Sequence, residues 1–417
     1  MKIKLIILFI FVLFLTSCSS TPEITPVPVP TQTFTPVPLP TITPQPLTDC
    51  VAMEAIPTPQ ADETSLFPPV NDDDRVLGND DAAVTFTVYC DLQSDGCTTL
   101  LNSLETLHAE APQDVRVVYR DFPQLQNPGH ENSGLAAQAV HAARLQGGDW
   151  ALQSLLLANQ AAWGSLTESA FERWVADQAS TLGMDGAQLI VDMQSDALAS
   201  IAEEAFQNGL EIGIPATPFL LFNGQIYYTL MDLASLRQVT QLTILGARQY
   251  ASCPPTVIDF SKEYLAYLET EFGEVVIQFY PKQAPVTVNN FVFLAQEGWF
   301  DGITFHRVIP GFVAQTGDPS GTGQGTPGYF FANEIDETLK FDKPGVVGMA
   351  NLGENTNGSQ FFITYDAAPS LNDQYTIFGQ VVSGMEVLEK LTPRDQQFAG
   401  EALPSGDLLL GVRIEER

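Results

Sequence analysis

Between Thr21 and Thr48 nine residues are proline, set among Thr, Val and Gln with Glu23 as the only charge. Proline lacks a backbone N–H and fixes its own φ, so neither a helix interior nor a paired strand survives at that density. The segment is confined to an extended polyproline II rod that cannot bury a core, which makes it a spacer. Compact structure is therefore expected on its carboxyl side.

Ahead of the spacer, Lys2 and Lys4 precede the apolar run Leu5 to Leu15, too short to span a bilayer but suited to the core of a signal peptide. The run ends Leu15-Thr16-Ser17-Cys18, which resembles a bacterial lipobox. The resemblance implies cleavage before Cys18, acylation of that cysteine, and an extracytoplasmic, membrane-anchored lipoprotein of the cell envelope. Residues 1–18 are thus expected as signal and lipobox, and 19–74 as a Pro/Thr-rich linker.

The remaining length suits two domains at about 100–200 residues each. The 18 Lys+Arg against 50 Asp+Glu give a formal charge of -32, which repels phosphate backbones, so no nucleic-acid partner is expected. With 45% hydrophobic and 16% charged residues, the acidity belongs to solvated surfaces over ordinary cores.

A first domain is expected over 75–250. The strand Val84 to Tyr89 leads into the loop Cys90-Asp91-Leu92-Gln93-Ser94-Asp95-Gly96-Cys97, after which Leu100, Leu101, Leu104 and Leu107 recur at helical spacing. A strand Val115 to Tyr119, a helix-rich stretch including Gly134 to Leu145, and Thr217-Pro218 before the apolar Phe219 to Phe222 complete the pattern. This order resembles α/β thioredoxin-like domains of the DsbA type with a helical insertion. Members of that family carry Cys-x-x-Cys where this chain has Ser94-Asp95-Gly96-Cys97. The attacking thiol is replaced by Ser94, and Asp95 disfavours a thiolate nearby. The resemblance places Pro218 at the family's cis-proline. The site Ser94, Cys97, Pro218 is expected to be vestigial, in a domain that binds peptide or is architectural; thiol–disulfide exchange through Cys97 and Cys90 is the alternative. With Cys18 lipidated, export and parity favour the disulfides Cys50–Cys253 and Cys90–Cys97 among three possible pairings. No metal site is expected from these spacings.

A linker is expected over 251–261 and a second domain over 262–417. Its strands surround Tyr264 to Glu269 and Glu274 to Tyr280, with a helix from Ala284 to Glu297 begun by Pro285. In Phe305-His306-Arg307-Val308-Ile309-Pro310-Gly311-Phe312-Val313-Ala314-Gln315, an alternating strand presents Ile303, Phe305 and Arg307 on one face. Pro310 and Gly311 then turn the chain and deliver Phe312 and Gln315 nearby. A cation, an aromatic wall and an amide converge. Met349-Ala350-Asn351 and Asn355-Thr356-Asn357-Gly358-Ser359-Gln360-Phe361-Phe362 follow.

These two blocks resemble the signature of cyclophilin-type peptidyl-prolyl isomerases, which implies an eight-stranded β-barrel and rotation about X-Pro bonds without a cofactor. The family's catalytic residues map onto Arg307, Phe312 and Gln315, and its substrate-binding residues onto Val313, Ala350, Asn351, Gln360, Phe362, Leu371 and Tyr375. An arginine on a β-face is ordinarily only an exposed charge, and a phenylalanine ordinarily core; their place in both motifs changes the reading. His306 alternates away from Arg307 and is expected to be structural. Ser370 and Tyr375 depart from many eukaryotic members, which implies retained activity with weak cyclosporin binding. The formal G-x-G-x-x-G at Gly323 to Gly328 opens no helix and is expected as a surface loop. The implied partners are proline-containing extended polypeptides and a membrane reached through Cys18. The implied role is folding assistance outside the cytoplasm, with a non-catalytic peptide-binding module as a further alternative.

Overall fold

The computed structural model describes residues 50–53, 67–395 and 403–417. The expected signal segment with Cys18, and most of the Pro/Thr-rich linker, lie outside the described residues. A short strand, β1 (Cys50–Ala52), precedes everything else.

The first region runs β2 (Arg75–Leu77), β3 (Val84–Cys90), α1 (Asp95–Glu110) and β4 (Val115–Asp121). A helical stretch follows as α2 (Ser133–Arg144), α3 (Asp149–Ala158), α4 (Gln160–Trp163), α5 (Glu168–Thr181), α6 (Gly186–Met193), α7 (Asp196–Ala199) and α8 (Ile201–Glu211). The region closes with β5 (Phe219–Phe222), β6 (Gln225–Ile226) and α9 (Leu233–Gly246). Its sheet has the order β2-β4-β3-β5-β6, with β3 parallel to β4 and the other pairs antiparallel. β3 is rich in β-branched and aromatic side chains and is buried nearly throughout, as a central strand covered on both faces must be. The spaced leucines of α1 are all buried against the sheet. Inside, the Arg75 guanidinium carbon sits 3.9 Å over the Tyr119 ring and its nitrogens reach Asp121 and Gln153, while His141 also meets Asp121. Burial opposes ionisation of Asp121, but Arg75 and His141 outweigh it and hold the carboxyl below its usual range.

The second region contains β7 (Tyr264–Thr270), β8 (Gly273–Phe279), α10 (Pro285–Gln296), β9 (Ile303–Thr304), β10 (Arg307–Ile309) and β11 (Val313–Thr316). It continues with β12 (Tyr329–Phe331), β13 (Val346–Met349), β14 (Phe361–Thr364), β15 (Ile377–Ser383) and β16 (Leu408–Glu416). One antiparallel sheet takes the order β10-β11-β14-β13-β15-β8-β7-β16-β9. Nine strands stand where eight were expected, because the segment 303–309 changes partner: Ile303 to Phe305 run along β16, ending with Phe305 N–H to Asp407 O, whereas Arg307 to Ile309 pair with β11. The two edge strands are consecutive in the chain, so the sheet curls until its edges come to one segment. Phe279, Phe291, Phe300, Phe361 and Phe378 fill the interior with ring contacts such as Phe291–Phe300 at 4.8 Å. At the start of α10, Pro285 takes the first position and the Glu334 carboxylate accepts the N–H groups of Val286 and Thr287.

From the segment expected as linker, Ile258 is buried in this second core with Cys253 and Val257 packed against it, and the end of the expected first domain joins them. Leu245 of α9 is 3% exposed within it, worth about 2 kcal/mol of burial, and Tyr250 packs on Phe293, Trp299 and Tyr329. β1 pairs with β12, and the Cys50–Cys253 disulfide fastens that strand to the same place. The chain thus reaches the second region at residue 50, leaves it to form the first region, and returns near residue 245.

Candidate active site

Two cavities sharing Gln315, Gly323, Ala350, Asn351 and Leu352 open on one face of the curled sheet. The larger, about 550 Å³, is lined by Arg307, Phe312, Val313, Gln315, Ala350, Asn351, Phe362, Leu371 and Tyr375. Gln360 lines the smaller niche of about 50 Å³ with Gln315 and Asn351. All ten isomerase residues expected from the motifs are therefore brought together.

Local structure explains the placement. Antiparallel pairing sets Arg307 opposite Gln315, and Gln315 opposite Phe362, so β10, β11 and β14 deliver cation, amide and ring side by side. Gly311, at φ 74°, makes the turn that carries Phe312 back over the strand. Phe362 stacks on Phe341 at 5.5 Å and meets Tyr375 edge-on at 5.5 Å, which fixes the apolar floor. The Gln315 carboxamide donates to Gln360 Oε1, and Gln360 Nε2 donates to the carbonyls of Gly323 and Gly325.

Three expectations are corrected here. The break between β9 and β10 ends the alternation, so Phe305 and His306 are both buried while Arg307 turns to the cavity. His306 consequently also lines the large cavity rather than pointing away from it. Neither of its ring nitrogens has a hydrogen-bond partner among the described residues. Burial, with Arg394 and Arg307 nearby, overrides the pull of Asp318 and pushes its pKa down to about 4, so the ring is neutral. The Gly323–Gly328 loop is the third case: it is a wall of the site rather than a surface loop. Buried Asp318 accepts from the N–H groups of Ser320, Gly323 and Gly325 and holds it closed. A Cβ on Gly325 would fall 1.9 Å from Asp318 Oδ1. Thr322, Gln324, Leu352 and Asp395 also line the cavity without having been foreseen. The glycine spacing was the one signal for this loop, and no motif marks Asp395.

In the first region, Ser94 takes the N-cap position of α1 without a side-chain cap bond, and the Thr217–Pro218 bond is cis. A Cβ on Gly96 would lie 3.0 Å from Pro218, so the first turn of α1 packs against that proline and Ser94, Cys97 and Pro218 are neighbours. Cys97 is bonded to Cys90, with a Cα–Cα distance of 5.7 Å, and both are essentially buried.

Comparison with known proteins follows this division. Residues 70–241 match the thioredoxin family, and residues 265–405 match the family of cyclophilin type peptidyl-prolyl cis-trans isomerases. Over 130 residues the chain is 45% identical to a mouse peptidylprolyl isomerase domain and WD repeat-containing protein, spanning 20% of that protein's length. A cyclophilin type isomerase of Cryptosporidium parvum superposes with a TM-score of 0.34 and 34% identity, covering 37% of this chain and 98% of that one. The peptidyl-prolyl cis-trans isomerase-like 1 of Gibberella zeae is 46% identical over 30% of this chain and 78% of its own length. Peptidyl-prolyl cis-trans isomerase ppi1 of Schizosaccharomyces pombe is 48% identical over 30% of this chain. Because that match takes in 82% of the yeast protein, this chain belongs to the cyclophilin-type peptidyl-prolyl cis-trans isomerases.

Proposed function

We propose that the chain isomerises X-Pro bonds of exported polypeptides as a membrane-tethered lipoprotein, with Arg307 as its catalytic cation. The convergence of Arg307, Phe312 and Gln315 on one cavity carries this reading. The barrier to rotation, about 18–20 kcal/mol, comes from amide resonance. A donor aimed at the prolyl nitrogen gains strength as resonance is lost, so it stabilises the twisted state more than either planar state. Arg307 is permanently charged and forked, which suits it to that task. Phe312, Val313, Phe362, Leu371 and Tyr375 hold the proline ring. Gln315, Ala350, Asn351 and Gln360 hold the substrate backbone. None of this needs a covalent intermediate or a cofactor.

Export is supported by two disulfides among the described residues, since such bonds persist in oxidising compartments. Lipid attachment at Cys18 and tethering through the proline-rich spacer complete the proposal. Uncatalysed X-Pro steps take tens to hundreds of seconds, so a tethered isomerase would shorten the folding of emerging chains. The thioredoxin-like region then serves as a client-holding or architectural unit. Buried sulfurs at Cys90 and Cys97 leave no exposed thiol for exchange, which disfavours the oxidoreductase alternative.

The test is the cis-to-trans rate of an X-Pro peptide with the full chain and its Arg307→Ala variant. Acceleration reduced roughly a hundredfold in the variant is expected, about 2.7 kcal/mol of transition-state stabilisation. Acceleration untouched by the substitution rejects the assignment. Loss of fatty-acid labelling in Cys18→Ser tests the anchor separately.

A further inference from the structure

Arg307 is flanked on two sides. Gln315 stands opposite it in the β10–β11 register, and on the other edge of β10 a segment from far along the chain pairs with the strand. Val308 and Arg394 exchange both backbone hydrogen bonds, at 2.6 and 2.8 Å. That antiparallel register puts Asp395 directly opposite Arg307, in the closer, non-hydrogen-bonded type of pair. Asp395 Oδ1 lies 3.8 Å from Arg307 Nε, and its side chain is 13% exposed on the wall of the large cavity. The preceding Arg394 pins the segment, donating from Nε to His306 O at 3.1 Å and from Nη1 to Pro404 O.

We propose that Asp395 is a positioning residue for isomerisation, its carboxylate holding the Arg307 guanidinium in the prolyl cavity. A long, flexible arginine loses rotamer freedom when it must meet a twisted amide, and a fixed opposite charge removes part of that freedom beforehand. The carboxylate contacts the Nε side of the fork, which leaves the terminal N–H groups for substrate. The role is confined to Arg307 and does not include contact with the peptide. It rests on the reading of Arg307 as the catalytic cation.

The experiment uses the full chain, with kcat and KM for an Ala-Pro peptide in wild type, Asp395→Asn, Asp395→Glu, Arg307→Ala and the double variant Arg307→Ala/Asp395→Asn. Asp395→Asn should lower kcat roughly tenfold with KM within about twofold, and Asp395→Glu should recover most of the rate. In the Arg307→Ala background the second substitution should cost nothing further, since the carboxylate acts only through the arginine. The wild-type rate should fall toward that of Asp395→Asn as salt rises to about 1 M, while the variant stays flat. An Asp395→Asn protein as fast as wild type, or one whose loss persists without Arg307, overturns the proposal. So does an equal loss in Asn and Glu variants accompanied by a lower melting temperature. Full activity in Arg307→Ala instead rejects the underlying site assignment, a result distinct from an inert Asp395→Asn beside a disabled Arg307→Ala.

Discussion

On the proposed reading, the first region offers at Ser94 a helix start beside a cis-proline but no free thiol, whereas the second region brings the residues proposed for catalysis together on one cavity. Ser94 stands at the N-cap position of a sixteen-residue helix without a side-chain cap bond, beside a cis-proline and two residues from a well-packed glycine, while Cys90 and Cys97 are bonded to each other inside the core. Around Arg307 the side chains that would do the work line an open cavity, and the supporting groups, Asp318 and Gln360, are buried behind it. On that reading a fold can preserve the placement of a site whose chemistry a single substitution removes. Backbone arrangement is held by many contacts, but reactivity rests on single atoms.

The two disulfides offer the largest contrast. Cys50–Cys253 closes a separation of 203 residues and Cys90–Cys97 one of 7, so removing the first returns more conformational entropy to the unfolded state. Paired serine substitutions should cost about 5 kcal/mol at the first and about 2.5 kcal/mol at the second, read from urea unfolding. The first pair should also raise KM in the isomerase assay. Met53 N–H to Gly328 O and Tyr250 N–H to Pro327 O brace the Gly323–Gly328 wall from outside, and the disulfide joins the two braces. A larger stability loss at Cys90–Cys97, or a KM shift from that pair, would break the contrast.

His306 sharpens the comparison from the other side, as a cost carried by the intact site. Its folded pKa of about 4 lies below the ordinary 6.5, so the folded state binds fewer protons than the unfolded state between those values. Stability is then full above about pH 6.5 and is lost as pH falls toward 4, by about 2 kcal/mol at pH 5. Urea unfolding at pH 7 and pH 5 should show this loss in wild type and a smaller one in His306→Gln. Equal losses would mean that the ring is solvated in solution.

Much of both sites was legible because their residues sit in contiguous runs. Phe305 to Asp318 and Asn355 to Phe362 can be recognised without knowing which strands pair, and the Ser94–Cys97 slot announces its own defect. His306 escapes a strict alternation because the strand breaks between Thr304 and Arg307. The glycine loop escaped for a different reason. Glycines carry no side chain to signal burial, and although Asp318 and Gln360 lie in the two legible runs, nothing local says that they and the distant Leu245 close over this loop. β1 is three residues long and gains its strand character only by pairing with β12, which no local pattern encodes. Asp395 meets Arg307 through a pairing of distant residues, again invisible to a local pattern.

The smallest effect on isomerisation, and the most direct probe of whether the Ser94–Cys97 slot is a vestigial site, is expected from Ser94→Cys. A half-buried cysteine at the amino end of α1 gains stabilisation of its thiolate from the helix dipole, offset in part by the adjacent Asp95. Once present, its thiolate can attack the Cys97 sulfur, forming a 94–97 bond and releasing Cys90 as a thiol, with no net change in oxidation. Peptide mapping under non-reducing conditions should find a fraction of chains with Cys90 alkylated and the new bond in place, while the isomerase rate changes by less than about twofold. The two sites share no residue, and α1 carries none of the groups that line the isomerase cavity. Full retention of Cys90–Cys97 would place the barrier to revived exchange in the buried packing of that bond, beyond the missing thiol. A large fall in isomerase rate would instead mean that the first region helps to shape the second, and the contrast between them would give way to coupling through α9 and Leu245.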